Sequence, residues 1–310
     1  MRHRRRLDLS AALTKTATGG LKSKESNKEK ARMSLTLCYT ALSPFCRKVR
    51  MAMEYKGLSF ALAPGDHVTE TPAFNPRAEV PILIDNGFVV CNSPDILAYL
   101  DRRFPDRLLY PAGARAYAEV REWERIADTV LDPVVTVIGN WRFANLPPMP
   151  QGLLEAAQND VAQVYDSLEA RLAGREYICG AVSAADFALY PQVASGAVLG
   201  MPMDHTRHEA ARNWLKRMRA RAEGQTDLAA AREWWTNKDT QTVDTERINW
   251  GTFRLEWLVA NGQAAWFADQ VQRDKVLWSV GPQANARNNP LAPHSGHAGG
   301  KAPTFTKPMF

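Results

Sequence analysis

Leu35-Thr36-Leu37-Cys38-Tyr39-Thr40-Ala41-Leu42-Ser43-Pro44-Phe45-Cys46-Arg47-Lys48-Val49-Arg50 is the stretch on which the fold turns. Leu35, Leu37 and Tyr39 alternate with Thr36, Cys38 and Thr40, the period of a strand. Ala41 to Pro44 reads as a loop. Pro44 suits the first turn of a helix, where its missing N–H costs nothing. The spacing therefore predicts a helix over 45–56, closed by Gly57. A second strand is expected over 58–63. Residues 80–84 and 88–91 read as short strands joined at Asp85-Asn86-Gly87, a hairpin turn signal. Ser93-Pro94-Asp95 opens a helix to about residue 103, with Ser93 as N-cap and Pro94 as first helical residue. The order is β-α-β, a loop with a short helix, then β-β-α.

After Pro111 the pattern changes to long helical stretches, over 113–131, 151–173, 184–199 and 207–222. Pro133 is expected to end or kink the first. Ser183-Ala184-Ala185-Asp186, ahead of Phe187, Leu189 and Tyr190, reads as a capping box with Asp in place of Glu. Residues 223–281 hold six of the nine tryptophans: Trp234, Trp235, Trp250, Trp257, Trp266 and Trp278. So many aromatics are a hazard in solvent, so this extension is expected to pack, as a lid or as a dimer or partner surface. Gly262 interrupts its helical pattern between 253–260 and 264–276. Beyond 284 Pro, Gly, Asn and His dominate, the composition of a disordered tail.

The chain is 310 residues long with 45% hydrophobic and 23% charged residues, the balance of a globular protein of about two domains. No apolar run reaches about 18 residues, so no transmembrane helix is expected. Residues 1–32 hold ten Lys/Arg against three Asp/Glu. Of the net charge of +6, residues 33–310 therefore carry −1. The basic character belongs to the arm, which weakens a nucleic-acid-binding reading of the folded part. The arm reads as disordered, and three accounts of it stand: a mis-called start with Met33 the true one, a flexible basic arm, or an organelle-targeting segment. Cys38, Cys46, Cys91 and Cys179 are scattered without paired spacing. That points to a reducing compartment and a cytoplasmic location. No His/Cys/Asp/Glu set has metal-ligand spacing, and His205 and His208 are expected to be surface residues.

The element order is that of an α/β thioredoxin-like N-terminal domain followed by an all-α helical-bundle domain. Four segments in order then make the sequence resemble the glutathione transferase family. These are Ser43-Pro44-Phe45-Cys46-Arg47-Lys48-Val49-Arg50, the run Asn75-Pro76-Arg77-Ala78-Glu79-Val80-Pro81-Ile82-Leu83, then Asn92-Ser93-Pro94-Asp95-Ile96-Leu97-Ala98-Tyr99-Leu100, and Tyr177-Ile178-Cys179-Gly180 leading into the Ser183–Asp186 box. The resemblance covers residues 34–222. It implies a glutathione-binding domain over 33–110 and a helical substrate domain over 111–222, with 223–284 as extension and 285–310 as tail. It also implies a homodimer; from charge, hydropathy and residue spacing, no nucleic-acid, membrane or metal partner is expected.

In serine-type members the residue matching Ser43 donates a hydrogen bond to the glutathione sulfur, so Ser43 is the catalytic candidate. A plain helix cap is the other reading, and the two are compatible if the oxygen accepts from backbone while the proton goes to sulfur. Cys46 is the redox candidate, although cysteine-type relatives carry their cysteine at the position of Ser43. The resemblance assigns glutathione contacts to Glu79, Val80 and Pro81 at a cis-proline turn, and to Ser93 at a helix N-terminus. It also assigns contacts to Asn92, where an acidic residue is usual, and to His67, with Arg47 a weaker candidate beside it. Leu42, Trp123 and Trp141 are candidates for the wall of an electrophile pocket. The implied activity is attack of the glutathione thiolate on a small hydrophobic electrophile, with lyase, dehalogenase and ether-cleaving variants open. A glutathione-dependent thiol reductase using Cys46 and a non-catalytic binding or assembly module are the alternatives.

Overall fold

A computed structural model describes residues 35–65, 71–75, 77, 79–143, 146, 148–237, 248 and 250–277. The expectations for residues 1–32 and 285–310, for His67 and for Trp278 lie outside these. Within them the chain forms β1 (Leu35–Tyr39), α1 (Pro44–Tyr55), β2 (Ala61–Pro64), a short α2 (Thr71–Phe74), β3 (Ile82–Asp85), β4 (Phe88–Cys91) and α3 (Ser93–Arg103). The strands make one mixed sheet in the order β2-β1-β3-β4. β2 is parallel to β1, whereas β3 is antiparallel to both β1 and β4. This is the thioredoxin-like arrangement.

The second strand starts three residues later than the alternation predicts. Gly57 adopts φ +69°, Leu58 N–H donates to the Met53 carbonyl and Gly57 N–H to that of Glu54. These two bonds form a Schellman cap. They commit 57–58 to closing α1, and Leu58 and Phe60 pack on the core instead of pairing.

The remainder is helical: α4 (Ala114–Ile126), a π-turn (Ala127–Leu131), α5 (Asp132–Phe143), α6 (Leu153–Leu172), α7 (Ala184–Gly196), α8 (Glu209–Ala220), α9 (Ala222–Thr236), α10 (Gly251–Ala260) and α11 (Ala264–Gln272). Pro133 does not end its helix. The π-turn takes up the mismatch, with Asp132 N–H reaching five residues back to Ala127. The helical path continues through the proline without a break. α7 is the central helix, buried on nearly every side and packed against α1, α4, α5 and α8.

Asp186 is fully buried and joins three parts of this bundle. Its carboxylate accepts from Ile178 N–H, Ser183 N–H, Ser183 Oγ and Trp214 Nε1, at 2.8–3.1 Å. Burial pushes its carboxyl up to about 6 against the pull of those donors. His208 departs from the surface position expected of it. It is 1% exposed, with Nδ1 accepting from Asp204 N–H at 3.0 Å and Nε2 2.9 Å from Asp166. Asp186→Ala leaves four donors without their acceptor and should lower unfolding free energy by about 3 kcal/mol in a urea titration. A loss below about 1 kcal/mol would show that the network does not hold the bundle.

Candidate active site

The register of the sheet gathers the sequence candidates at one end. Tyr39, the last residue of β1, pairs with Pro64 at the end of β2, and Cys38 pairs with Ile82 at the start of β3. Ile82 in turn pairs with Cys91 at the end of β4. Ser43 follows β1, Val80 and Pro81 precede β3, and Asn92 and Ser93 follow β4. All therefore emerge at the same edge.

Ser43 is the N-cap of α1, and Oγ accepts from Cys46 N–H at 3.4 Å. The hydroxyl also lies within hydrogen-bonding reach of the buried Cys46 thiol, a weak acceptor. The Val80–Pro81 peptide is cis, and no described residue hydrogen-bonds the Val80 backbone. The loop ahead of it is braced by Asn75, which donates to the Glu79 carbonyl at 2.8 Å and accepts from Arg77 N–H at 3.0 Å. The Glu79 side chain faces away into an exposed pair with Arg77. Gly65 closes the edge: a Cβ there would lie 2.9 Å from Val80 Cγ1 and 3.0 Å from Thr40 Cγ2. The chain can come this close only as glycine, a requirement the sequence reading did not single out.

Ser93 is 3% exposed, and its hydroxyl has no hydrogen-bond partner among the described residues. The first bond of α3 runs from Ile96 N–H to the Asn92 carbonyl, so the Ser93 and Asp95 amides stay open at the helix N-terminus. Such an end attracts an anion. Asn92 sits at φ +67°, a conformation asparagine tolerates better than most residues, and its amide donates to Asp95 at 3.2 Å. Leu42 is half-buried beside Ser43.

Other candidates are placed elsewhere. Cys46 is fully buried, and burial pushes its thiol up to about 11 in spite of hydrogen bonds from Thr40 and Ser43. Arg47 does not face this edge: it is buried in an ion pair with Asp227 of α9. Trp123 and Trp141 are core residues. Trp141 packs on Trp266 and Trp250, with ring centroids 4.7 and 5.6 Å away. No cluster of three or more metal-ligating side chains occurs among the described residues.

Residues 37–108 match the family pattern of the glutathione S-transferase N-terminal domain. Glutathione S-transferase 1 of Dianthus caryophyllus is 29% identical over 174 residues, 53% of this chain and 77% of that one. A probable glutathione S-transferase GSTU1 of Oryza sativa is 32% identical over 151 residues, covering 45% and 62%. The glutathione transferase URE2P5 from Phanerochaete chrysosporium superposes with a TM-score of 0.61 at 22% identity, over 67% of this chain and 99% of that one. It has also been cocrystallized with 1-(S-glutathionyl)-2,4-dinitrobenzene. At that identity the structural likeness is one of fold. The domain match, the curated relatives and the shared fold together support membership of the glutathione transferase family.

Proposed function

We propose that the protein is a glutathione transferase that binds glutathione at this edge and ionises its thiol on Ser43. The observation that carries the reading is the convergence of three groups at one end of the sheet: the Ser43 hydroxyl at the start of α1, the Val80 backbone, which no described residue hydrogen-bonds, and the Ser93 hydroxyl with the open amides of α3. A γ-glutamyl peptide offers matching groups. Its backbone would pair with Val80 as an added strand does, its glutamyl carboxylate would sit at the α3 N-terminus, and its thiol would reach Ser43. The URE2P5 complex, with its glutathionyl ligand, is in keeping with this.

A free thiol has a pKa of about 8.5, so only a few per cent is ionised at neutral pH. The Ser43 proton and the positive end of α1 both favour the anion. Lowering the bound thiol to about 6.5 raises the thiolate fraction roughly twentyfold, and part of that gain is lost because the weaker base is a weaker nucleophile. The sulfur then forms a C–S bond to an electrophilic carbon. In substitution the leaving group departs with its bonding pair; in addition the adjacent atom takes a proton. The thiol's own proton goes to solvent. A homodimer in the cytoplasm acting on small hydrophobic electrophiles completes the proposal.

Burial argues against the reductase alternative. A disulfide-exchanging Cys46 needs access and thiolate character, and it has neither.

Titrating bound glutathione by thiolate absorbance should give a pKa well below the free value in the wild type. In Ser43→Ala it should rise by about one to two units, the worth of a charge-assisted hydrogen bond, while in Cys46→Ala it should stay put. Glutathione that binds with an unshifted thiol in all three proteins would sink the transferase mechanism and favour the non-catalytic module.

A thiol at about 11 is only ~0.1% thiolate at pH 8. Cys46 in the folded protein should therefore react with a disulfide reagent at least about a hundredfold more slowly than in urea. Mass-mapped labelling of Cys46 at the unfolded rate would restore it as a redox candidate.

A further inference from the structure

Helix α1 carries Ser43 at its start, and what holds that first turn is mostly not local. Pro44 has no N–H to offer. The cap bond from Cys46 N–H is long at 3.4 Å, near the limit at which such a bond counts. The Ser43 amide reaches Thr40 at a similar 3.3 Å. The strong contacts of the turn belong to Arg47, one turn further on, whose N–H donates to the Ser43 carbonyl at 3.0 Å.

Arg47 is fixed at its far end. Nε and Nη2 make a bidentate pair with Asp227 at 2.8 and 2.7 Å. Nη1 donates to the Pro191 carbonyl at 3.1 Å and to Ser195 Oγ at 2.9 Å. Both partners are closed from solvent, at 6% and 2% exposure. Asp227 is itself placed by the tight elbow between α8 and α9, where a Cβ at Gly224 would come within 2.0 Å of the Met218 carbonyl oxygen. The planar fork of Arg fixes direction as well as distance. A helix start tethered in this way cannot turn about its own axis without breaking two parallel bonds in a dry setting.

We propose that Asp227, acting through Arg47, is a positioning residue that sets the direction of the Ser43 hydroxyl from helix α9. The inference rests on the reading of Ser43 as the thiol-orienting group. It gives the ion pair a role in the chemistry although neither side chain touches glutathione. Small displacements of a reacting group are costly, so loosening the turn weakens the Ser43–sulfur contact more than it weakens the grip on the tripeptide.

The same helix supplies the control. At its C-terminal end Lys56 Nζ pairs with Asp101 at 2.8 Å, and both are buried. Asp227→Asn, Arg47→Lys and Asp101→Asn each break a buried pair, but only the first two act at the Ser43 end. Arg47→Lys keeps the charge and loses the fork.

The experiment measures thermal midpoint, glutathione Kd, bound-thiol pKa and kcat with 1-chloro-2,4-dinitrobenzene across pH in the four proteins. In Asp227→Asn and Arg47→Lys, Kd should stay within about twofold and the bound thiol rise by about one unit, cutting kcat near pH 6.5 about fivefold. Asp101→Asn should lose thermal stability and keep the wild-type thiol. An unmoved thiol in folded Asp227→Asn or Arg47→Lys overturns the proposal, and so does an equal shift in Asp101→Asn. A lowered thiol pKa in Asp227→Asn also overturns it, because an unpaired Arg47 would then be acting through space and not through position. If Asp227→Asn does not fold, Arg47→Lys decides alone. A wild-type protein that leaves the bound thiol unionised defeats the reading of Ser43 itself, and this inference with it.

Discussion

Buried cations on α1 tie the sheet to the helices. Arg47 reaches Asp227 on α9, Lys48 reaches Asp128 in the π-turn at 2.7 Å, and Lys56 reaches Asp101 on α3 at 2.8 Å. Each of the three cations is under 10% exposed. Taking an ion out of water costs several kcal/mol even after relaxation, and the partner's attraction roughly offsets that cost. Net stability is therefore a poor account of these pairs. Their effect is directional: an apolar face can slide over its neighbour, whereas a buried charge has one acceptable address. Three addresses on three different elements leave α1 a single seat.

That seat matters because the site is made by chain crossings and not by one contiguous segment. β3 runs antiparallel to β1, so its first residue lies beside the last of β1. Had β3 run parallel, Val80 would stand at the far end of the sheet, about 13 Å away at the rise of a strand. The mixed order β2-β1-β3-β4 thus brings together two helix N-termini and the stretch of backbone that leads into β3. The proposed function uses that combination: donors for a carboxylate, a backbone partner, and a hydroxyl for a thiol.

Much of this was legible in the sequence because it is written locally. The strand alternation, the Ser43-Pro44 start, the Asp85-Asn86-Gly87 turn and the Ser183–Asp186 box each involve residues within four positions of one another, where propensity and side-chain reach decide. What was missed is long-range. Arg47 and Asp227 are 180 residues apart, and no periodicity announces their meeting, so Arg47 stood only as a weaker candidate for a glutathione contact. His208 looked exposed for the same reason, since its partner Asp166 lies on another helix. Pro133 misled in a different way. The local rule that proline ends a helix is sound, but a widened turn upstream satisfied it without a break. The late start of β2 shows a cap outcompeting a strand for the same two backbone groups.

The tryptophan-rich extension gains a physical account from its anchors. Ile248 and Val276 bridge, so α10 and α11 form a hairpin closed at its base. Arg254 pairs with Asp132 at 3.0 Å, and Trp257 Nε1 donates to Asp160 at 2.8 Å. Trp250 and Trp266 pack on Trp141 as the sequence led one to expect, whereas Trp235 on α9 departs from that expectation and is 46% exposed. Asp132 is shared: it also takes the amide of Gln192 on α7 at 3.3 Å. α7 is the helix whose Pro191 carbonyl and Ser195 hydroxyl receive Arg47. An unbroken run of polar contacts and helix backbone therefore joins the hairpin to the first turn of α1. Contiguity alone does not demonstrate energetic coupling. The anchors do bear on the reading of the extension as a lid. A lid that opens on each turnover would have to release Arg254 from Asp132 and separate three packed indoles every time. The contacts dock the hairpin on α5 and α6, in the same helical frame from which Asp227 and α7 hold the helix that carries Ser43.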